Sequence, residues 1–349
     1  MSELLTELVR RYSPSTYEQE AVSYLVDWMN DHDFMAQMDA SGSAVGIIGD
    51  SNAEHTLMLL GHIDTFPGDL PVEMRDGVLY GRGSVDAKGS LCAFTEAAAL
   101  SQIPAGWRVV VAGAVEEECA TSKGARHLRK QFMPDLCIIG EPSGSGRITL
   151  GYKGRLVLEY KLTRPVAHTA RPEPSAGALG AAFWARVEAW TQERNQGLTA
   201  AFEQVLAHLR AINTETDYLT ETVRVALSLR LPPTCPPEEA LSVLESLADE
   251  GAELRAHGLE RAYQGSRNNA LVRGMLAAIR ENTGERPGFV LKSGTSDMNV
   301  VGEVWNCPII AYGPGDSNLD HTPDEHLPLD EYQRAVMVLR RFIERLNET

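Results

Sequence analysis

Three short apolar runs constrain the fold of this 349-residue chain more than any other feature. They lie at residues 56–60, at Trp107–Ala114 and at 136–139. Unbroken apolar runs of strand length belong to a sheet covered on both faces. Each run leads into residues that a core does not hold without partners: His62 and Asp64, then Glu116-Glu117-Glu118, then Glu141. Helical stretches at 88–101 and 122–131 follow the strand-like ones. Strands alternating with helices predict an α/β layer on a mostly parallel sheet.

The same reading places helices at 2–11 and 17–31, broken by Ser13-Pro14-Ser15, with Ser15 or Thr16 as the second helix's cap. Residues 45–48 and 78–80 read as further strands. Near residue 153 the character changes. Residues 156–162 alternate like a strand with one wet face, 175–195 form a long helix, and 223–231 a strand. A helix at 237–249 and a strand-like stretch at 252–263 complete a β-α-β-α-β block. The block predicts a small α+β sandwich inserted into the first domain. Residues 1–152 and 266–349 then form one discontinuous domain, and 153–265 the other. Beyond the insert, 268–282 is helical, 288–291 strand-like, 297–301 the start of a helix, 309–312 a strand and 330–346 a last helix. The stretch 196–221 is ambiguous.

Composition narrows the function. Hydrophobic residues at 43% and charged at 23% are ordinary for a globular protein. No apolar run approaches the ~20 residues of a membrane span. The N-terminal M-S-E-L-L-T-E-L-V-R-R mixes acid and base, unlike a signal peptide. Five cysteines without a C-x-x-C pair predict reduced thiols and a cytoplasmic setting. A formal charge of −16 argues against nucleic acid as a partner.

Two histidines and several carboxylates, with no cysteine among them, suit a pair of divalent ions held through nitrogen and oxygen. His62-Ile63-Asp64 follows a strand, where residues two apart share a face. The spacing predicts a ligand, His62, oriented by Asp64 accepting its other ring N–H. Asp86 lies in G-R-G-S-V-D-A-K-G, whose glycines allow a tight turn, and is favoured as a carboxylate shared by two ions. Three adjacent acids at a strand end are costly unless a cation neutralises them. Two of the three glutamates can act differently, one binding metal and one standing off to take a proton. Glu141 and His321 complete the set, with His326 a competing candidate.

These five ordered segments resemble the di-zinc amidohydrolases of metallopeptidase family twenty, over nearly the whole chain. The family includes acetylornithine deacetylase, succinyl-diaminopimelate desuccinylase and carboxypeptidase G. The resemblance implies that His62 and Glu141 hold one zinc, Glu118 and His321 the other, with Asp86 bridging. It implies that Asp64 orients His62 and that Glu117 is the general base. The family pattern is Asp-Glu-Glu where this chain has Glu116-Glu117-Glu118, so a register shifted by one remains an alternative. The resemblance further implies a ferredoxin-like lid and dimerisation domain over 153–265. His168, in A-H-T-A-R-P-E-P-S, would reach the partner's active site in a homodimer and stabilise the oxyanion; the alternative is a residue leading into a helix. Gly294 and Thr295 match a pocket-lining G-T-S-D segment.

The implied chemistry is amide hydrolysis by metal-bound hydroxide, with zinc as the metal and cobalt as an alternative. The phrases G-H-I-D-T, V-E-E-E-C-A-T-S-K-G-A-R and G-Y-K-G-R look like lysine-pathway members of the family. Those hydrolases free lysine, or ornithine, from the amino-group carrier protein LysW in lysine and arginine biosynthesis. Lys123, Arg126, Arg129 and Lys130 could form a basic strip for such a carrier, or an ordinary solvated helix face. Arg267, Asn268, Asn269 and Arg273 are candidates for the substrate carboxylate, against a plain helix surface. Lys153, Arg155 and Lys292 are weaker candidates. The rivals are a deacylase of free acetylornithine or succinyl-diaminopimelate and an inactive relative serving as a scaffold.

Overall fold

The computed structural model describes residues 2–50, 52–168, 170, 172–284 and 286–348. In chain order the first stretch carries α1 (Glu3–Arg10), α2 (Gln19–Asn30), β1 (Met35–Met38), β2 (Ala44–Gly49), β3 (His55–His62), β4 (Glu73–Arg75) and β5 (Val78–Tyr80). There follow α3 (Lys88–Leu100), β6 (Trp107–Ala114), α4 (Lys123–Gln131), β7 (Leu136–Gly140) and β8 (Arg147–Tyr152). Next come β9 (Gly154–Pro165), α5 (Ala176–Arg194), β10 (Leu206–Thr216), β11 (Thr220–Leu231), α6 (Pro237–Leu247) and β12 (Glu253–Glu260). The chain ends with β13 (Tyr263–Gln264), α7 (Ala270–Thr283), β14 (Gly288–Lys292), α8 (Asp297–Gly302), β15 (Ile309–Ala311), β16 (His326–Pro328) and α9 (Leu329–Ile343).

Two compact units result. One comprises Met1–Gly151, Gln264–Leu291 and Ser296–Thr349; the other Tyr152–Tyr263 and Lys292–Thr295. Among the described residues no helix is long and apolar enough to cross a membrane.

In the first unit the three apolar runs become adjacent parallel strands, in the order β1-β2-β6-β3-β7-β15-β8-β13 with β14 also paired to β8. β6, β3, β7 and β15 are mutually parallel, while β2 and β8 run antiparallel to them on either side and β1 pairs antiparallel with β2. The strand made last of these, β15, lies between β7 and β8. Leu57, Leu59, Val109, Val111 and Ile138 are fully buried, as a doubly covered sheet requires. Helix α3 packs on three glycines aligned across the sheet: Gly61 is in register with Gly113 on one side and Gly140 on the other. A methyl on Gly113 would stand 3.0 Å from Leu91, and one on Gly140 would stand 2.9 Å from Phe94 and 3.1 Å from the Gly61 backbone. Small residues here let the helix sit close beneath the strand ends.

The second unit is a four-stranded antiparallel sheet, β10-β11-β9-β12, with α5 and α6 packed against it. Its β-α-β-β-α-β order is the ferredoxin-like arrangement. The ambiguous stretch supplies the extra strand. β10 lies at the edge with most residues exposed, so it carries no apolar alternation. One local expectation fails: neither Ser15 nor Thr16 caps α2, whose N-cap is Glu18. Ser15 is committed to another bond, described below.

Candidate metal centre

Four of the five proposed ligands sit at the carboxyl end of a parallel strand or in the loop that follows it; Asp86 instead lies in the loop after β5, in the separate antiparallel sheet β16-β5-β4. His62 ends β3, Glu118 follows β6, Glu141 follows β7 and His321 follows β15. Asp86 lies just before α3. Open α/β sheets place their ligands at this edge. The donor atoms of His62, Asp86 and Glu141 lie within 4.8 Å of one another, as do those of Asp86, Glu118 and His321. Asp86 belongs to both groups. His62 Nε2 is 3.3 Å from Asp86 Oδ1, while His321 Nε2 is 3.1 Å from Asp86 Oδ2 and 2.9 Å from Glu118 Oε1. His326 lies apart, at the start of β16 with its ring against Tyr80.

Nitrogen and oxygen donors without thiolate fit hard or borderline divalent ions. The electrostatics fit as well. Burial pushes the Glu117 carboxyl well above the usual carboxylate range against the pull of His62, and the charges of Glu141, Asp297 and Glu118 add to it. Burial likewise raises Glu118, against its hydrogen bond from His321. Asp86 is held down despite its burial, because both imidazoles bond to it. Hydrogen bonds to Asp86 and Glu118 raise His321 to about 10. His62, although fully buried, is raised well above its usual range by Asp86, Glu117 and Asp64. The protons on the imidazoles thus offset carboxylate charge that a pair of cations would neutralise instead.

Asp64 works differently from the spacing argument. The His62 ring nitrogen Nδ1 lies 2.9 Å from the Asp64 main-chain carbonyl, and the carboxylate is 3.7 Å away. The carboxylate instead accepts the main-chain N–H groups of Glu117 at 3.0 Å and Glu118 at 2.9 Å. Ser15 Oγ donates to the same carboxylate at 2.7 Å. Asp64 therefore fixes the turn that presents both glutamates. Glu116 enters that turn in the left-handed region, with φ of 61°, and its side chain points away to Thr121 and Lys123. His321 shares that conformation, with φ of 62°. Strained backbone of this kind gathers at functional sites.

Other sequence candidates fall elsewhere. Asn269 caps α7, accepting from the Val272 N–H at 2.8 Å, and the Asn268 side chain accepts from Arg273. The Arg267 guanidinium lies over the Phe289 ring. Gly294 and Thr295 belong to the second unit, where Thr295 Oγ1 accepts from Arg230 at 3.1 Å. His168 is exposed in the same unit and accepts from the Ala170 N–H. The basic strip loses one member. Arg129 turns to the Val300 carbonyl at 2.9 Å, because α4 packs on α8 with that edge.

Several site neighbours escaped the sequence reading. Ser15 is one; Arg82, Glu325 and Phe66 are others. Phe66 stacks on His321 with ring centroids 4.2 Å apart. Arg82 and Glu325 stand inside the two loops already singled out, and their only signal was a charged residue in a loop bounded by apolar runs.

The geometry can be set against known proteins. The chain is 45% identical to the [LysW]-lysine hydrolase of Deinococcus radiodurans, over 99% of this chain and 96% of that one. It is 37% identical to a putative [LysW]-lysine/[LysW]-ornithine hydrolase of Thermococcus kodakarensis, covering 99% and 91%. Among solved structures, an M20 family metallo-carboxypeptidase from Sulfolobus solfataricus superposes with a TM-score of 0.79 at 19% identity, covering 99% of both chains. The aminopeptidase PepT of Bacillus cereus gives 0.78 at 17%, covering 98% and 97%. These two establish shared fold. Residues 58–345, which include every ligand candidate named above, match the profile of peptidase family M20/M25/M40, and the chain belongs to that family of hydrolases.

Proposed function

We propose that this protein hydrolyses the amide that holds lysine on the carrier protein LysW, releasing lysine and reusable carrier in the cytoplasm. The observation that carries the reading is the near-full-length similarity to the Deinococcus hydrolase of that name. Relatives whose names include ornithine support carrier-bound ornithine as a second substrate.

His62 and Glu141 would hold one ion, Glu118 and His321 the other, with Asp86 shared. Zinc suits this donor set, and cobalt can replace it. When bound, the ions supply Lewis acidity that activates water and polarises the amide carbonyl. Glu117 is the general base: its backbone is fixed by Asp64, and its carboxylate can take a proton from water and pass it to the leaving amine. Residues 153–265 serve as a lid and dimerisation domain, from which His168 stabilises the oxyanion in the partner subunit. Arg267, Asn268, Asn269, Gly294 and Thr295 are proposed to surround the substrate.

The test is to incubate metal-loaded enzyme with carrier-linked lysine, acetyl-lysine and acetylornithine and quantify released amino acid. Release from the carrier conjugate alone is the expected result. Efficient release from acetylornithine with the conjugate untouched would move the protein to free-metabolite deacylation.

A further inference from the structure

Two buried charged residues outside both metal groups tie the loops of Asp86 and His321 together. Arg82 is 6% exposed and Glu325 1%. Glu325 Oε1 accepts the main-chain N–H of Val85 at 3.0 Å and of Asp86 at 3.1 Å. Its other oxygen accepts from Arg82 Nη1 at 2.7 Å. The same Nη1 donates to the carbonyl of Thr322, the residue after His321, at 3.2 Å, and Arg82 Nε donates to Gly68 at 2.9 Å. The Glu325 carbonyl in turn accepts from the Gly81 N–H at 3.2 Å. Phe66, stacked on the His321 ring, has the Arg82 guanidinium 5.9 Å from its centroid.

The Arg82–Glu325 pair is buried beside Asp86 without adding net charge to a site that already holds a surplus of carboxylates. A neutral amide at 325 could accept the two main-chain N–H groups but would leave the Arg82 guanidinium buried without a counter-charge. Only a carboxylate can accept two main-chain N–H groups and also neutralise a buried guanidinium. The arrangement links the backbone of the shared ligand to the turn that begins at His321.

We infer that Arg82 and Glu325 are positioning residues that set the spacing of Asp86 and His321, and thereby the affinity of one metal group over the other. This rests on the two-ion reading above. The Asp86–Glu118–His321 group depends on the tie twice, through Asp86 and through His321. The His62–Asp86–Glu141 group keeps two ligands at strand ends that the tie does not touch. Loosening it therefore weakens the former more than the latter.

The test is calorimetric titration of zinc into chelator-treated wild type, Glu325→Gln and Arg82→Lys, with visible spectra of the cobalt-loaded proteins. Wild type should take two ions. Glu325→Gln should take one with near-normal affinity and the other about 10–100-fold more weakly, a usual cost of losing an outer partner of a ligand. The cobalt spectrum should change, and kcat should fall more than KM rises. Arg82→Lys keeps the charge without the planar fork and should show the same asymmetry, and it decides the matter if Glu325→Gln does not fold. Unchanged affinities, or equal loss at both sites alongside a lower melting temperature of the metal-free protein, overturn the inference. A wild type that takes fewer than two ions overturns the two-ion reading itself.

Discussion

At the residue scale, Asp64 shows how one residue can serve two ligand segments, with its main chain and its side chain. Its carbonyl faces His62 while its carboxylate holds the backbone of Glu117 and Glu118. Asp64→Asn keeps the carbonyl but leaves one oxygen where two were used. We expect turnover to fall at least tenfold while His62 still binds metal, checked by kcat and metal content together. Glu117→Gln should retain both ions yet lose about 10²–10⁴-fold in kcat, the usual contribution of a positioned general base; undiminished turnover would remove Glu117 from the role. The histidines set a pH dependence. In the metal-free protein His321 titrates at about 10, above its ordinary 6.5. Its contribution to metal-free stability is thus fully present below about pH 6.5 and is lost as pH rises toward 10. Metal must displace that proton, so zinc affinity should climb over the same interval with proton release. Calorimetry in buffers of different ionisation enthalpy measures that release, and a flat profile would contradict it.

At the element scale, the aligned glycines under α3 bring a rigid helix against the strand ends. Gly140→Ala would press on the Gly61 backbone, which cannot move aside as a side chain can. We expect a loss of about 1–3 kcal/mol in denaturant unfolding, whereas Gly284→Ala, at a left-handed helix end in open space, strains only its own backbone. Three buried strands were legible because their signal is apolar continuity: β3, β6 and β7 stand where the runs are, whereas the buried β8, R-I-T-L-G-Y, was not, since threonine and glycine interrupt its apolar residues. β1 and β10 were not, since edge strands such as Met35–Met38 and Leu206–Thr216 show the solvent most of their residues. The candidate ligands could be singled out because acids and imidazoles at strand ends are chemically conspicuous, and the fold brings their donor atoms into two groups. Ser15, Arg82 and the Asp64 carbonyl were hidden, because their bonds run between segments far apart in sequence or use main-chain atoms, which spacing does not encode.

At the scale of the whole molecule, metal and fold should be linked, because the candidate ligands lie at or beyond the ends of five different strands, β3, β5, β6, β7 and β15. Chelation should lower stability by about 4 kcal/mol relative to metal held at a thousandfold its Kd. The melting temperature reports this. Hydrogen exchange should rise first in the loops after β3, β5, β6, β7 and β15, with β9 and β11 of the other unit unaffected. The place of β15 has a bearing on how the chain is made. A ribosome delivers β7 long before β15, so the apolar edge of Leu136–Ile139 must wait unpaired through the synthesis of the entire second unit. Unpaired edges of that composition invite pairing with other chains. The nascent protein is therefore most exposed to aggregation in that interval, and the interval closes only when the strand preceding His321 slots in.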